Sequence, residues 1–230
     1  MATDKQITFY SLNKLLTMKL YQTGMAVFMT VMIASAVSAQ TNNAGSVIKS
    51  GTGKGNHFYI DVHELGAGNV TAEAVAGAHA KDLATEKQFG VNFIKYWVDE
   101  GKGLVYCFSS SPDSASITHT HAKAHGLIPT HTYLVTEGQA ARIKNSNDLY
   151  LDVHELGAGN VTAEAVAEAH KKDLAVQDKY GVSFINYWVD KSDGLVFCLA
   201  EAKDSASMVN THKEAHGLIP SHVMKVKQGQ

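Results

Sequence analysis

His79 and Asp82 stand three residues apart, and His121 and His125 four apart. Those spacings put each pair on one face of a helix. Imidazole nitrogens and carboxylate oxygens brought together from two such faces suit a borderline divalent metal such as zinc, nickel or copper. The same residues can instead edge a packed interface, bonded to each other or to the backbone, or serve in catalysis. A second set, Asp61 and His63, lies two residues apart, on one side of a strand. It can be a ligand pair, or an ion pair that raises the pKa of the histidine. Glu64, Trp97 and Asp99 are candidates for its surroundings.

Every one of the six metal candidates recurs 91 positions later, as Asp152, His154, His170, Asp173, His212 and His216. Of the twelve histidines, only His57 and His119 lack such a counterpart, since His131 matches His222. The stretch from Tyr59 to Ala76 returns from Tyr150 to Ala167 with one change, Ile60 to Leu151. The match continues in register to about His131. A fixed internal period of this length marks two copies of a domain of about 80 residues rather than a solenoid.

The elements that must position the candidates follow from periodicity and punctuation. Phe58 to His63 alternates as a strand. Thr71 is a helix cap, Ala72 to Phe89 a helix, and Gly90 its stop. Val91 to Asp99 and Leu104 to Phe108 are strands. Pro112 and Asp113 open a second helix that runs to His125 and stops at Gly126. His131 to Val135 closes the unit. This βαββαβ order is the ferredoxin-like arrangement, an α+β fold with both helices on one face of a four-stranded sheet. The other face carries Tyr59 and Trp97 and needs a cover. The same face of the other copy supplies it, giving two tandem domains stacked sheet to sheet as an intrachain pseudo-dimer, with further oligomerisation open. Strand parity then predicts that Asp61 and His63 point away from the helices, towards the other copy and away from His79.

The domain boundaries follow: an export segment over 1–39, a flexible leader over 40–56, one repeat over 57–136, a linker over 137–147 and the second repeat over 148–228. Met25 to Ala34 is an apolar core of export-signal length, and Val37-Ser38-Ala39 offers small residues for cleavage before Gln40. Met18 is an alternative start, and an uncleaved anchor is the competing reading. A mature chain from Gln40 is expected to be periplasmic or secreted, with no membrane contact after cleavage. The formal charge of −2 gives no electrostatic case for nucleic acid.

Cys107 and Cys198 lie in matching apolar strands and read as two buried free thiols. A disulfide needs both at the pseudo-dyad, and a Cys–His nucleophile has no supporting motif. Leu65-Gly66-Ala67-Gly68-Asn69 lacks the Lys-Ser/Thr ending of a phosphate loop and reads as a tight turn.

Several separated motifs occur in both copies: Asp-Val-His-Glu-Leu, then Val-Thr-Ala-Glu-Ala-Val-Ala, then Lys-Asp-Leu, then Tyr-Trp-Val-Asp, and Ala-His-Gly-Leu-Ile-Pro after a Thr-His. Together they resemble a family of small ferredoxin-like domains of unknown function, one branch of which is called nickel-binding. The resemblance covers nearly everything after residue 57. It implies domains that pair through their sheets and hold Ni(II) on histidines and carboxylates for sequestration or detoxification. Carried over, the candidate ligands are Asp61, His63, His79, Asp82, His121 and His125 with their six counterparts. The chain departs from the pattern in being a fused tandem and in carrying the export segment. Nickel itself does not follow from the residues, because copper outranks it at a nitrogen and oxygen site. Three functions are therefore open: an exported transition-metal-binding protein without turnover, a small monooxygenase-like enzyme with a pocket between the sheets, and a structural or interaction module.

Overall fold

The computed structural model describes residues 46–48, 55–139, 141, 143 and 145–230. The export segment expected over 1–39 and most of the leader over 40–56 lie outside them. Strand β1 is Ser46–Ile48, inside the stretch expected to be a flexible leader.

The first repeat runs β2 (His57–Glu64), α1 (Ala72–Thr85), β3 (Asn92–Asp99), β4 (Leu104–Ser111), α2 (Ser114–Ala124) and β5 (His131–Gln139). The second runs β6 (Asp148–Glu155), α3 (Ala163–Tyr180), β7 (Ser183–Asp190), β8 (Leu195–Ala202), α4 (Ser205–Ala215) and β9 (His222–Gly229). The helix starts are set by side-chain caps. The Thr71 hydroxyl accepts the Ala74 amide at 3.1 Å, and the Asp113 carboxylate accepts the Ser116 amide at 2.7 Å. Thr162 and Asp204 do the same in the second repeat. Helix α1 ends earlier than Phe89. The chain tightens into a 3-10 turn over Glu86–Gln88, where the Phe89 amide donates to the Glu86 carbonyl at 3.1 Å.

Within the first repeat the strand order is β5-β2-β4-β3, and within the second β9-β6-β8-β7. The two sheets do more than stack. Strand β3 pairs with β9, and β5 pairs with β7, so eight antiparallel strands close into a barrel. Residues 137–139, expected to begin a linker, extend β5 to make that second seam. Each seam needs a glycine. A Cβ on Gly138 would lie 2.0 Å from the Tyr187 ring, and one on Gly229 2.0 Å from the Tyr96 ring. An aromatic ring thus covers each bare backbone position. At the first seam the Trp97 indole also donates to the Gln228 side chain at 3.0 Å.

The barrel lumen corrects the expected facing. Phe58, Ile60 and Val62 point inward with Trp97, Phe108, Leu151, Trp188 and Phe197. Trp97 and Trp188 meet at 5.0 Å between ring centroids. Tyr59 instead joins Val75 and Ile117 beneath the helices. Asp61 and His63 share its side of the strand. They therefore face the helices and not the other copy. Parity separates the two faces of a strand but does not say which is inner. Here both faces are buried, and the lumen, walled by sheet on every side, takes the more apolar set. Among the described residues no helix is long and apolar enough to cross a membrane.

Candidate metal centre

Asp61 on β2 sits directly across from Cys107 on β4 in the strand register. His63 follows two residues later on the same face. Helix α2 lays His121 over this pair, with His125 one turn on, and α1 brings Asp82 alongside. His121 is the hinge of the arrangement because each ring nitrogen serves a different acid. Its Nε2 lies 3.3 Å from Asp61 Oδ1, and its Nδ1 lies 3.0 Å from Asp82 Oδ1. His63 Nε2 reaches Asp61 Oδ1 at 3.2 Å, and His125 Nε2 reaches Asp82 Oδ1 at 3.1 Å. The result is a buried relay, His63–Asp61–His121–Asp82–His125. The second repeat repeats it, with His154–Asp152 at 3.3 Å, His212–Asp152 at 3.0 Å, His212–Asp173 at 3.0 Å and His216–Asp173 at 3.1 Å.

Two donor groups therefore meet at His121. The inner one is Asp61, His63, Cys107 and His121, all buried, with ligand atoms within 4.8 Å of one another. The outer one is Asp82, His121 and His125. Their hydrogen-bond inventories differ. In the outer group the Leu127 amide donates to His125 Nδ1 at 3.1 Å, which leaves the neutral ring's proton on Nε2 for Asp82. His121 Nδ1 likewise has Asp82 as its partner. In the inner group both Asp61 oxygens, His63 Nδ1 and His121 Nε2 are buried without an aligned hydrogen-bond partner. Buried polar atoms are rarely left so. A cation held by Asp61, His63, Cys107 and His121 would satisfy the Asp61 oxygens and His121 Nε2. Four donors from oxygen, nitrogen and sulfur form the closed set of a structural site. The residues present fit a late divalent metal at the inner group. Asp82 and His125 then orient His121 from behind, as carboxylates do for metal-bound histidines.

The electrostatics agree with this division. Burial opposes a charged His121, yet the carboxylates of Asp61 and Asp82 outweigh it and lift the imidazole to about 9. His212 is lifted to about 10 in the same way. Burial would raise Asp61, but the His121 and His63 imidazoles hold it below the ordinary carboxylate range. Burial, with Asp61 next in weight, pushes the Cys107 thiol well above its usual value. Without metal the group is therefore a thiol and an imidazolium around a carboxylate. A metal must displace both protons.

The sequence expectations fare unevenly. Asp61, His63, Asp82, His121 and His125 come together, as do their counterparts. Asp61 and His63 do share a neighbourhood with the helix residues, contrary to the parity argument. His79 does not join either group. It packs on Tyr96 at 4.8 Å and Phe93 at 6.1 Å between ring centroids, with Nε2 unpartnered. His170 behaves likewise against Tyr187, at 4.7 Å. Trp97 lies in the lumen, and Asp99 accepts the Lys102 amide at 3.0 Å in a turn, so neither completes the site. Cys107 and Cys198 are free and buried, as expected, but sequence reasoning missed their place among the donors. The signal that could have found them is the pairing of β2 with β4, which sets Asp61 opposite Cys107.

The family described as "Nickel responsive protein SCO4226-like" matches residues 59–135 and again residues 150–226. Among solved structures, SCO4226 from Streptomyces coelicolor A3(2) is 28% identical, with 36% of this chain and 99% of that chain covered and a TM-score of 0.34. A mutant chlorite dismutase from Candidatus Nitrospira defluvii is 8% identical, covering 76% of this chain and 93% of that chain at a TM-score of 0.43. A heme-binding protein from Thermus thermophilus is 12% identical, covering 74% of this chain and 91% of that chain at a TM-score of 0.38. No match to a curated protein sequence was found.

Proposed function

The chain belongs to the SCO4226-like nickel responsive protein family, and from that premise we propose that it binds a late divalent transition metal, nickel first, and holds it without turnover. The observation that carries this reading is the inner donor group of the first repeat, whose carboxylate and imidazole are buried without aligned partners; in the second repeat the matching His212 Nε2 and Asp152 Oδ2 meet at 3.0 Å. The ligands are Asp61, His63, Cys107 and His121 in the first repeat and Asp152, His154, Cys198 and His212 in the second. Bound there, the metal supplies the charge that the enclosed carboxylate lacks. Zinc and copper fit the same donors, and the thiolate favours the softer end of the series. Sequestration or detoxification follows from a closed set, which leaves no position for a substrate.

Isothermal titration of metal-free protein with Ni(II) tests this directly. Two equivalents per chain are expected, with uptake of each metal releasing protons from a thiol and an imidazolium. No saturable uptake of Ni(II), Zn(II) or Cu(II) at micromolar concentration overturns it.

Export is part of the same proposal. It rests on the apolar core from Met25 to Ala34 and the small residues before Gln40. Amino-terminal sequencing of the native protein is expected to start at Gln40, in an envelope or secreted fraction. A cytosolic chain that retains Met25 to Ala34 counts against it.

The enzyme reading placed its pocket between the sheets, near Asp61, His63, Trp97 and Cys107. A pocket of about 370 Å³ does open at the lumen, walled by Val62, Tyr106, Val153, Phe197 and Met224. Trp97 packs in that lumen, whereas Asp61, His63 and Cys107 lie on the other side of the sheet. An enzyme built on this chain would use that pocket, or the one on the helix side of the first repeat.

A further inference from the structure

The chamber of about 370 Å³ opens at one end of the barrel and falls within the size range of small-molecule sites. Strands β2 and β6 end there, and β4, β5, β8 and β9 begin there. Its buried wall is apolar and aromatic. The Tyr106 and Phe197 rings face each other at 6.4 Å between centroids, and the half-buried Tyr133 ring stands 5.8 Å from Phe197. The proposed metal groups occupy the opposite face of β2 and β6, so the chamber is separate from them.

The edge of the chamber decides what can enter. Its exposed residues are Glu64, Lys102, His131, Glu155 and His222. Glu64 and Glu155 are matching positions of the two repeats, so one carboxylate comes from each half. The Lys102 ammonium donates to the Val223 carbonyl at 3.4 Å, and His222 Nε2 stands 3.5 Å from Glu155 Oε1. The acids set the field inside. Burial and then Glu64 push the Tyr106 phenol well up, with Tyr133, Asp99 and Glu155 adding. Burial raises Tyr133 too, followed by Asp193, Asp190, Glu64 and Glu155. A space enclosed by aromatic faces and ringed by carboxylates attracts cations. An anion entering it would gain one ammonium and meet two carboxylates at the edge.

We infer that the open end of the barrel binds a small aromatic amine, its ring system seated among Tyr106, Tyr133 and Phe197 and its ammonium held at the edge by Glu64 and Glu155. The lining takes matching residues from both repeats, so the chain carries one such site. Binding there does not involve the metal.

The probe is tryptamine, with indole-3-propionate as an anion of matching length, titrated by isothermal calorimetry into the full chain at about pH 8, where ordinary imidazoles are uncharged. One tryptamine per chain is expected, bound about tenfold more tightly than indole-3-propionate and more weakly as salt is raised. Replacing both acids, Glu64→Gln with Glu155→Gln, should bring the two probes to about equal affinity. Both side chains are exposed, so this variant keeps the fold. In NMR spectra the methyl signals of Val62, Leu195 and Met224 should shift on tryptamine addition, in metal-free and Ni(II)-treated protein alike. The inference is overturned by any of four results: no saturable tryptamine binding, equal affinity of the wild-type chain for both probes, a double variant that binds tryptamine as the wild type does, or methyl shifts confined to the helix side at Val70 and Val75.

Discussion

Replacing His121 and His212 together with alanine is expected to abolish Ni(II) binding in the micromolar range. Each imidazole is a proposed ligand and also the joint between the inner and outer groups, through contacts of 3.3 and 3.0 Å in the first repeat. Losing it should cost well over the roughly 100-fold that changes in outer-shell residues cause. The metal-free protein should suffer as well. Asp61 and Asp82 would keep their burial and lose their cation, and breaking a buried pair in this way costs about 3–5 kcal/mol. Thermal melts and titrations of the same variant separate the two effects. His125→Ala is the informative control. If His125 acts only from behind His121, affinity should fall about tenfold to 100-fold. If His125 is a ligand, the loss should equal that of His121→Ala, and the assignment to the inner group fails. His79→Ala should leave Ni(II) affinity unchanged, because His79 stands outside both groups.

The metal-free protein is expected to be most stable near pH 6.5 and to weaken on both sides. On the alkaline side, His121 is lifted to about 9 and His212 to about 10 by their carboxylates, against the cost of burial. Such raised values add stability that is complete below the unfolded imidazole value of about 6.5 and is lost as pH climbs through the folded one. A shift of one unit is worth about 1.4 kcal/mol, so the two groups together account for several kcal/mol between about pH 6.5 and 10. On the acid side, burial depresses His79, and takes His170 to about 4. An unfolded chain picks up protons there below about pH 6.5 that the folded chain refuses, so stability falls again. Below about pH 4 the lowered Asp61 and Asp152 add to the loss as they protonate. Denaturant titrations across this range check the shape. A protein equally stable at pH 6.5 and pH 9.5 would mean that His121 and His212 are not held as imidazolium ions. Loading with Ni(II) should move the maximum to higher pH, since the metal takes the place of protons.

Much of the fold was legible in the sequence because its signals are local. The repeat, the Thr71 cap and the strand–helix order need only neighbours along the chain. What failed was tertiary. Alternation in Phe58 to His63 marks two faces, yet only the closure of the barrel decides that Ile60 turns inward and Asp61 outward. The helix pairs were read correctly as one-sided, but that reading grouped His79 with His121. The helices instead set Asp82 between His121 and His125 and turn His79 onto Tyr96. Cys107 looked like an ordinary apolar strand residue, and in packing terms it is one. Its role depends on which residue of β2 lies opposite, a register that no local pattern encodes.

Joining both halves of the barrel in one polypeptide has an outcome that paired separate domains could not reach. Free subunits drift apart on dilution and must carry identical sequences, so any change in one appears in the other. Here the seams at Gly138 and Gly229 close within a single molecule, at any concentration. Each half can then change by itself. The lumen shows what such independence permits: Tyr106 and Tyr133 of one half stand where Phe197 and Met224 stand in its twin, a mixed lining that two identical subunits could not supply.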